Sequence, residues 1–299
     1  MKKIISLVMI LIISLGITVG ASANAEEVIE NKDAVSVVTA LSIMSYYEDG
    51  TFRPDETVTR AEMAAIICRM MTYEEHATEA MGSTVFNDVP ADHWASGYIN
   101  IAQMQGVVTG YGDFNFGPED KVTYEQAVKM IVETLGGWLL ARHKGGYPEG
   151  YIEVASREGI LKNTECNIGD KIDRQTVATL VFNALETRFA VQEIYSGDLA
   201  EYLDEHGFDD DNTILSRYWK IQKWSGNLEK DGENFVLKDA ECFEYKGGKL
   251  TKVEKPLGDV DFSRIENIEE FAGQEVNAYI SMYKDKTIGK HVAYAMTVK

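Results

Sequence analysis

The sequence predicts an α+β protein, with an all-α N-terminal part of three helix–loop–helix units and a small C-terminal antiparallel β-domain that could close as a barrel. Three observations predict it. A shift of 64 positions lays TFRP at 51–54 over NFGP at 115–118, and VTRAE at 58–62 over VTYEQ at 122–126. A shift of 53 lays YIEVASREGILKN at 151–163 over YINIAQMQGVVTG at 98–110, placing Gly159 over Gly106. Repetition at fixed offsets is the mark of stacked units that bury a common core. Beyond about Phe189 the character changes: after one more helical stretch, Val276, Ala278, Ile280 and Met282 alternate in period two.

Residues 1–25 precede this architecture. Lys2 and Lys3, an uncharged apolar run from Ile4 to about Val19 and the small residues Ala23-Asn24-Ala25 have the layout of a secretory signal peptide cleaved after Ala25. The run, about 16 residues, is shorter than the ~20 a membrane span needs. No membrane span is expected after cleavage. The remaining chain holds 27 basic and 48 acidic residues, a net charge of −21. Such a chain repels phosphate backbones, which argues against nucleic acid and anionic lipid as general partners. Cys68, Cys166 and Cys242 are an odd number for an exported chain. Cys68 sits on an apolar helix face and reads as a buried thiol, while pairing of Cys166 with Cys242 stays open.

In the first unit, 28–71, Asp33 to Tyr46 reads as one amphipathic helix with Val37, Val38, Leu41 and Met44 on its apolar side. A loop follows with Asp49-Gly50 and Arg53-Pro54. Thr59 and Glu62 then form a T-x-x-E capping box ahead of Met63, Ile66, Ile67 and Met70. Thr72 to Thr84 reads as a polar separator. In the second unit, 84–137, Asp92 is the expected N-cap of a helix stopping at Gly106. Thr123 and Gln126 repeat the capping box. In the third unit, 145–187, Asp173 is the N-cap of a helix carrying Val177, Leu180, Val181, Ala184 and Leu185. The last segment, 190–299, opens with a helix over Ser196–His206 and continues as strands around 218–224, 234–245, 275–283 and 290–298.

The units resemble S-layer homology domains. The resemblance rests on F-x-D-V at 86–89, His93-Trp94-Ala95, Gly106-Val107-Val108 with Gly110-Tyr111, Phe116-Gly117-Pro118, Asp49-Gly50-Thr51-Phe52 with Pro54, and an intact Thr59-Arg60-Ala61-Glu62. It spans about residues 28 to 187, in an order similar to exported proteins of clostridia and related Gram-positive bacteria. It implies a pseudo-threefold helical assembly with grooves between units. It also implies a partner, a secondary cell-wall polysaccharide often carrying pyruvate ketals, bound without a covalent link. The implied location is the cell wall or S-layer surface, where self-assembly is compatible with the fold.

The polysaccharide-binding candidates are Arg60, Arg174 and Tyr124, supported by the capping residues Thr59, Glu62, Thr123, Gln126 and Asp173. Arg60 follows an N-cap, where free backbone N–H groups and the helix dipole favour an anion and a guanidinium adds a two-pronged donor for a carboxylate. The other reading of Arg60 is an exposed side chain paired with Asp55 or Glu56. Tyr124 stands where unit two should have an arginine, so that groove is either degraded or uses the ring to stack on sugar. Gln175 and Thr176 leave the third capping box incomplete.

No catalytic residues, metal ligands or cofactors are assigned. His93 and Trp94 read as helix-start and core residues, and no two of the five histidines have the spacing of a helical metal site. Asp209-Asp210-Asp211-Asn212 lacks the spaced calcium-loop pattern and reads as a solvated loop. The expected function is non-enzymatic anchoring. A small wall hydrolase carried by the same anchor, and a structural protein that has lost polymer binding, are the alternatives.

Overall fold

The computed structural model describes residues 27–190, 207–208, 210–254 and 256–299. The expected leader and the helix expected over Ser196–His206 lie outside the described residues. Eight α-helices come first: α1 (Lys32–Ala40), α2 (Arg60–Met70), α3 (Glu74–Glu79), α4 (Ser96–Met104), α5 (Tyr124–Thr134), α6 (Trp138–His143), α7 (Glu149–Arg157) and α8 (Arg174–Leu185). Each unit contributes a helix, an irregular loop and a second helix: α1 with α2, α4 with α5, α7 with α8. No described helix is long and apolar enough to cross a membrane.

Local chemistry explains the helix ends. α1 stops at Ala40, short of the expected Tyr46, because Ser42 turns left-handed at φ 56°. There Ser42 N–H donates to Thr39 O at 2.8 Å and Ile43 N–H to Val38 O at 2.9 Å, closing a Schellman motif. Gly106 (φ 73°) and Gly159 (φ 76°) end α4 and α7 in the same way. A side chain in this conformation costs about 1 kcal/mol that glycine avoids. Ser42→Gly is therefore expected to stabilise the protein by about 1 kcal/mol, read as a higher urea midpoint at unchanged slope.

α4 begins at Ser96 rather than after Asp92. His93 N–H donates to Pro90 O at 2.9 Å and His93 Nδ1 accepts from Ala95 N–H at 3.1 Å, so a separate turn occupies 90–95. The stretch expected as a polar separator contains α3, and α6 occupies the corresponding place before α7. Both short helices press on the next long one at a glycine. A Cβ on Gly97 would stand 1.8 Å from Ala77 O, and one on Gly150 would stand 2.1 Å from Ala141 O.

The second helices of the three units start together. Val58 N–H donates to Ile172 O (3.1 Å), Ile172 N–H to Val122 O (3.3 Å) and Val122 N–H to Val58 O (2.9 Å), a closed cycle of three backbone bonds among buried residues. One step on, the first helical N–H groups of Arg60, Tyr124 and Arg174 donate to Asp120 O, Asp170 O and Glu56 O, each at 2.9 Å. Helix N-termini leave such donors unpaired, and here the neighbouring unit's loop satisfies them. A helix–loop–helix unit on its own would lose these partners.

The C-terminal part is a curled, open sheet. Its strands are β1 (Ile221–Asp231), β2 (Asn234–Lys246), β3 (Lys249–Lys252), β4 (Val260–Asp261), β5 (Glu275–Ser281) and β6 (His291–Val298), in the order β3-β2-β1-β5-β6-β4. Two expectations change. The sheet is not purely antiparallel, since β4 pairs parallel with β6. The strand expected from Tyr218 starts only at Ile221, because 215–219 form a π-helical turn ended by Lys220 at φ 54°. Nor does the sheet stand apart from the helices. Ile221, Tyr279 and Ala295 belong to the same buried core as the helical units, while Trp224, Leu228, Val276 and Ile280 build a second core on the other face. Trp219 Nε1 donates to Met70 O at 3.0 Å and Tyr279 Oη to Glu186 Oε1 at 3.0 Å, tying sheet to helices. All three cysteines are free thiols. Cys68 and Cys242 are buried and Cys166 is half-buried, and burial pushes the first two up to about 12.

Candidate functional site

Arg60 is placed by the capping box that starts α2: Glu62 Oε2 accepts from Thr59 N–H at 2.7 Å and Thr59 Oγ1 from Glu62 N–H at 3.1 Å. The side chain then crosses into the second unit. Nε donates to Phe116 O at 2.8 Å and Nη2 to Thr109 O at 3.1 Å, with the guanidinium carbon 4.6 Å from the Tyr111 ring centroid and 4.7 Å from that of Phe116. Asp88, from the F-x-D-V stretch, holds this loop by accepting from the N–H groups of Phe116 (2.7 Å) and Gly117 (2.6 Å).

The exposed Arg60 paired with Asp55 or Glu56 is not what forms. Arg60 is 6% exposed and makes no ion pair among the described residues. Asp55 accepts from Gln175 Nε2 instead, and Glu56 pairs with Arg53. Burial pulls the Arg60 pKa down, opposed by the neighbouring Tyr111 phenol and the Asp120 and Asp88 carboxylates. Guanidinium does not deprotonate in proteins, so the site holds a buried cation that no carboxylate pairs directly among the described residues, with Asp88 and Asp120 near it. The expectation of free backbone donors at this helix start is corrected as well. The N–H groups of Arg60, Ala61 and Glu62 go to Asp120 O, Pro118 O and Thr59 Oγ1, leaving the side chain as the donor.

Beside the guanidinium is a cavity of about 360 Å³, lined among others by Thr109, Tyr111, Gln126, Lys129 and Tyr147. Its groups complement an acidic sugar: Arg60, Lys129 (itself 3.4 Å from the Glu133 carboxylate), an amide and two phenol rings. Gln126 serves twice, since its Oε1 also accepts from Thr123 N–H at 3.1 Å in the second capping box. The hydroxyl half of that box is loose, and Thr123 Oγ1 is buried without a partner of good hydrogen-bond geometry.

Arg174 repeats the arrangement against the first unit. Asp173 caps α8 by accepting from Thr176 N–H at 2.9 Å. Arg174 Nε donates to Phe52 O at 2.8 Å and Nη2 to Ser45 O at 2.7 Å, with Tyr47 and Phe52 rings 4.8 and 4.7 Å from the guanidinium. Subtracting 64 from Thr109, Tyr111 and Phe116 yields these three partners. Glu27 takes the part of Asp88, accepting from Phe52 N–H (2.8 Å) and Arg53 N–H (2.7 Å), although unit one has no F-x-D-V. The cavity is smaller, about 200 Å³, and has Glu62 and Ala65 where the Arg60 cavity has Gln126 and Lys129. Trp94 lines it in the place Tyr147 holds in the other. Expected in the core, Trp94 is 48% exposed.

Tyr124 occupies the third equivalent place and is closed off. It is 5% exposed, lies beside Thr164 and Cys166, and lines neither cavity, so its ring is not a stacking platform in this structure. Sequence reasoning missed Lys129, Tyr147 and Trp94 as site residues. The 53-position offset that pairs Tyr147 with Trp94 was the available signal. The acidic loop is occupied by its own fold. Asp211 accepts from the N–H groups of Gly247 and Gly248, each at 2.9 Å, and Asp210 pairs with Arg217.

Residues 29–64 and 85–128 match the family model of the S-layer homology domain. The chain is 32% identical over 229 residues to a surface layer protein of Brevibacillus choshinensis, covering 74% of this chain and 20% of that one. It is 27% identical to the middle cell wall protein of Brevibacillus brevis over 96% of this chain and 28% of the relative. It is 31% identical to a cellulosome-anchoring protein of Acetivibrio thermocellus over 39% of this chain and 28% of the relative. The chain thus spans less than a third of the length of these relatives. The Brevibacillus brevis alignment includes the sheet as well as the helical units.

Proposed function

The chain is an S-layer homology domain protein, and from that premise we propose that it is held non-covalently on the Gram-positive cell wall by a secondary cell-wall polysaccharide. The three units act as one pseudo-threefold assembly, in which the Arg60 and Arg174 cavities take acidic groups of the glycan and the Tyr124 position takes none. The protein works as an anchor and performs no catalysis. The observation that carries this reading is Arg60 itself, a buried guanidinium with no direct ion-pair partner among the described residues, close to two aromatic rings and lining a cavity. A pyruvate ketal supplies a direct ion-pair partner as a carboxylate on a sugar ring, matching the two-pronged donor and the aromatic walls. The Arg60 cavity is the larger of the two, and each has a second, glutamate-paired cation, Lys129 with Glu133 and Arg69 with Glu74.

The mature chain is expected to pellet with purified wall sacculi and to stay in solution when the polysaccharide has first been removed with acid. Equal pelleting in both cases, or none in either, would overturn the proposal.

A further inference from the structure

A larger cleft, about 790 Å³, opens where α1 faces the C-terminal sheet, between Lys32 and Thr39 on one wall and Arg264, Phe271 and Tyr294 on the other. It meets the Arg174 cavity at Tyr46, which lines both. The Tyr46 ring is half exposed and is braced edge-on by Phe52 at 5.9 Å between centroids. Phe52 also stacks on Arg174, so the brace and the cation share one support. Across the cleft the exposed Arg264 guanidinium carbon lies 5.0 Å from the centroid of the Tyr294 ring. Of the two acids lining the cleft, Glu27 already accepts from two backbone N–H groups and Glu266 is exposed at the rim. The cleft thus adjoins the Arg174 cavity at Tyr46, and its walls, like that cavity's, carry aromatic rings and cations.

We infer that a wall polysaccharide seated by an acidic residue in the Arg174 cavity runs across Tyr46 into this cleft, so that the C-terminal sheet forms the second half of a glycan site. The inference rests on the polysaccharide reading above. It gives the docking of sheet onto α1 a purpose beyond packing: β6 and the loop at 264–271 supply the far wall, which the helical units lack. Sugar rings lie flat on aromatic side chains, and the exposed Arg264 meets acidic substituents further along the polymer.

Calorimetric titration of the mature chain with wall-polysaccharide fragments of one repeat and of several repeats tests this. The longer fragments are expected to bind more tightly. Arg264→Ala should weaken them roughly tenfold while leaving the single repeat unchanged, and Arg264→Lys should recover most of the loss. Arg174→Ala should remove the Arg174-site binding step for both fragment lengths and leave the Arg60-site step. If Arg264→Ala leaves the longer fragments within about twofold of wild type, or if both lengths bind equally, the extended site is overturned and the anchoring proposal stands. If neither fragment binds the wild-type chain, both fall.

Discussion

Arg60→Ala is expected to release the protein from wall sacculi, with an affinity loss of about 100-fold. Truncating one member of a buried charge pair costs about 2–5 kcal/mol, and each 1.4 kcal/mol is tenfold. Arg60→Lys should fall between the two, keeping the charge but losing the planar fork that reaches Phe116 O and Thr109 O together. Tyr124→Ala should weaken pelleting less than Arg60→Ala, because Tyr124 is buried against its own neighbours and borders neither cavity. Depletion of protein from the supernatant across a sacculus titration measures all three, with circular dichroism melts separating lost binding from lost fold. The reverse order of Arg60 and Tyr124 would remove Arg60 from the centre of the site.

Gly97→Ala is the substitution expected to damage the fold most, by about 3 kcal/mol. Its new Cβ would stand 1.8 Å from Ala77 O, 2.8 Å from Ala77 C and 3.0 Å from Met81 N, all backbone atoms. Backbone cannot swing aside as a side chain can, so α3 must lift from α4. Gly106→Ala provides the contrast. Gly106 has φ 73° and no neighbour within 4 Å of a new Cβ, so the change costs only the left-handed strain of about 1 kcal/mol. Urea unfolding of the two variants distinguishes a steric cost from a conformational one. Equal losses would contradict the close approach of α3 and α4.

The starts of the second helices were legible because capping is local, whereas Asp92 does not cap α4, which starts at Ser96. Thr59 with Glu62, Thr123 with Gln126, and Asp173 each act within one turn of the chain, and each stands where the sequence pattern puts it. The short helices α3 and α6 were not legible, since six residues carry little periodicity and their stability comes from packing on α4 and α7. The same limit explains Trp94. Its neighbours mark a helix approach, but its exposure depends on a cavity built by Arg174 from another unit.

The amino-acid sequence alone determined the α+β class, the offsets of the three units and the residues that start their second helices, because these follow from short-range periodicity and capping. Tertiary structure decided what Arg60 and Arg174 do. Their carbonyl and aromatic partners lie 49 or more residues away, and the helix-start donors expected for an anion are consumed by a neighbouring loop. It also decided that the sheet shares the helical core. Each of these depends on which surfaces meet when distant segments pack, and no local pattern encodes that meeting.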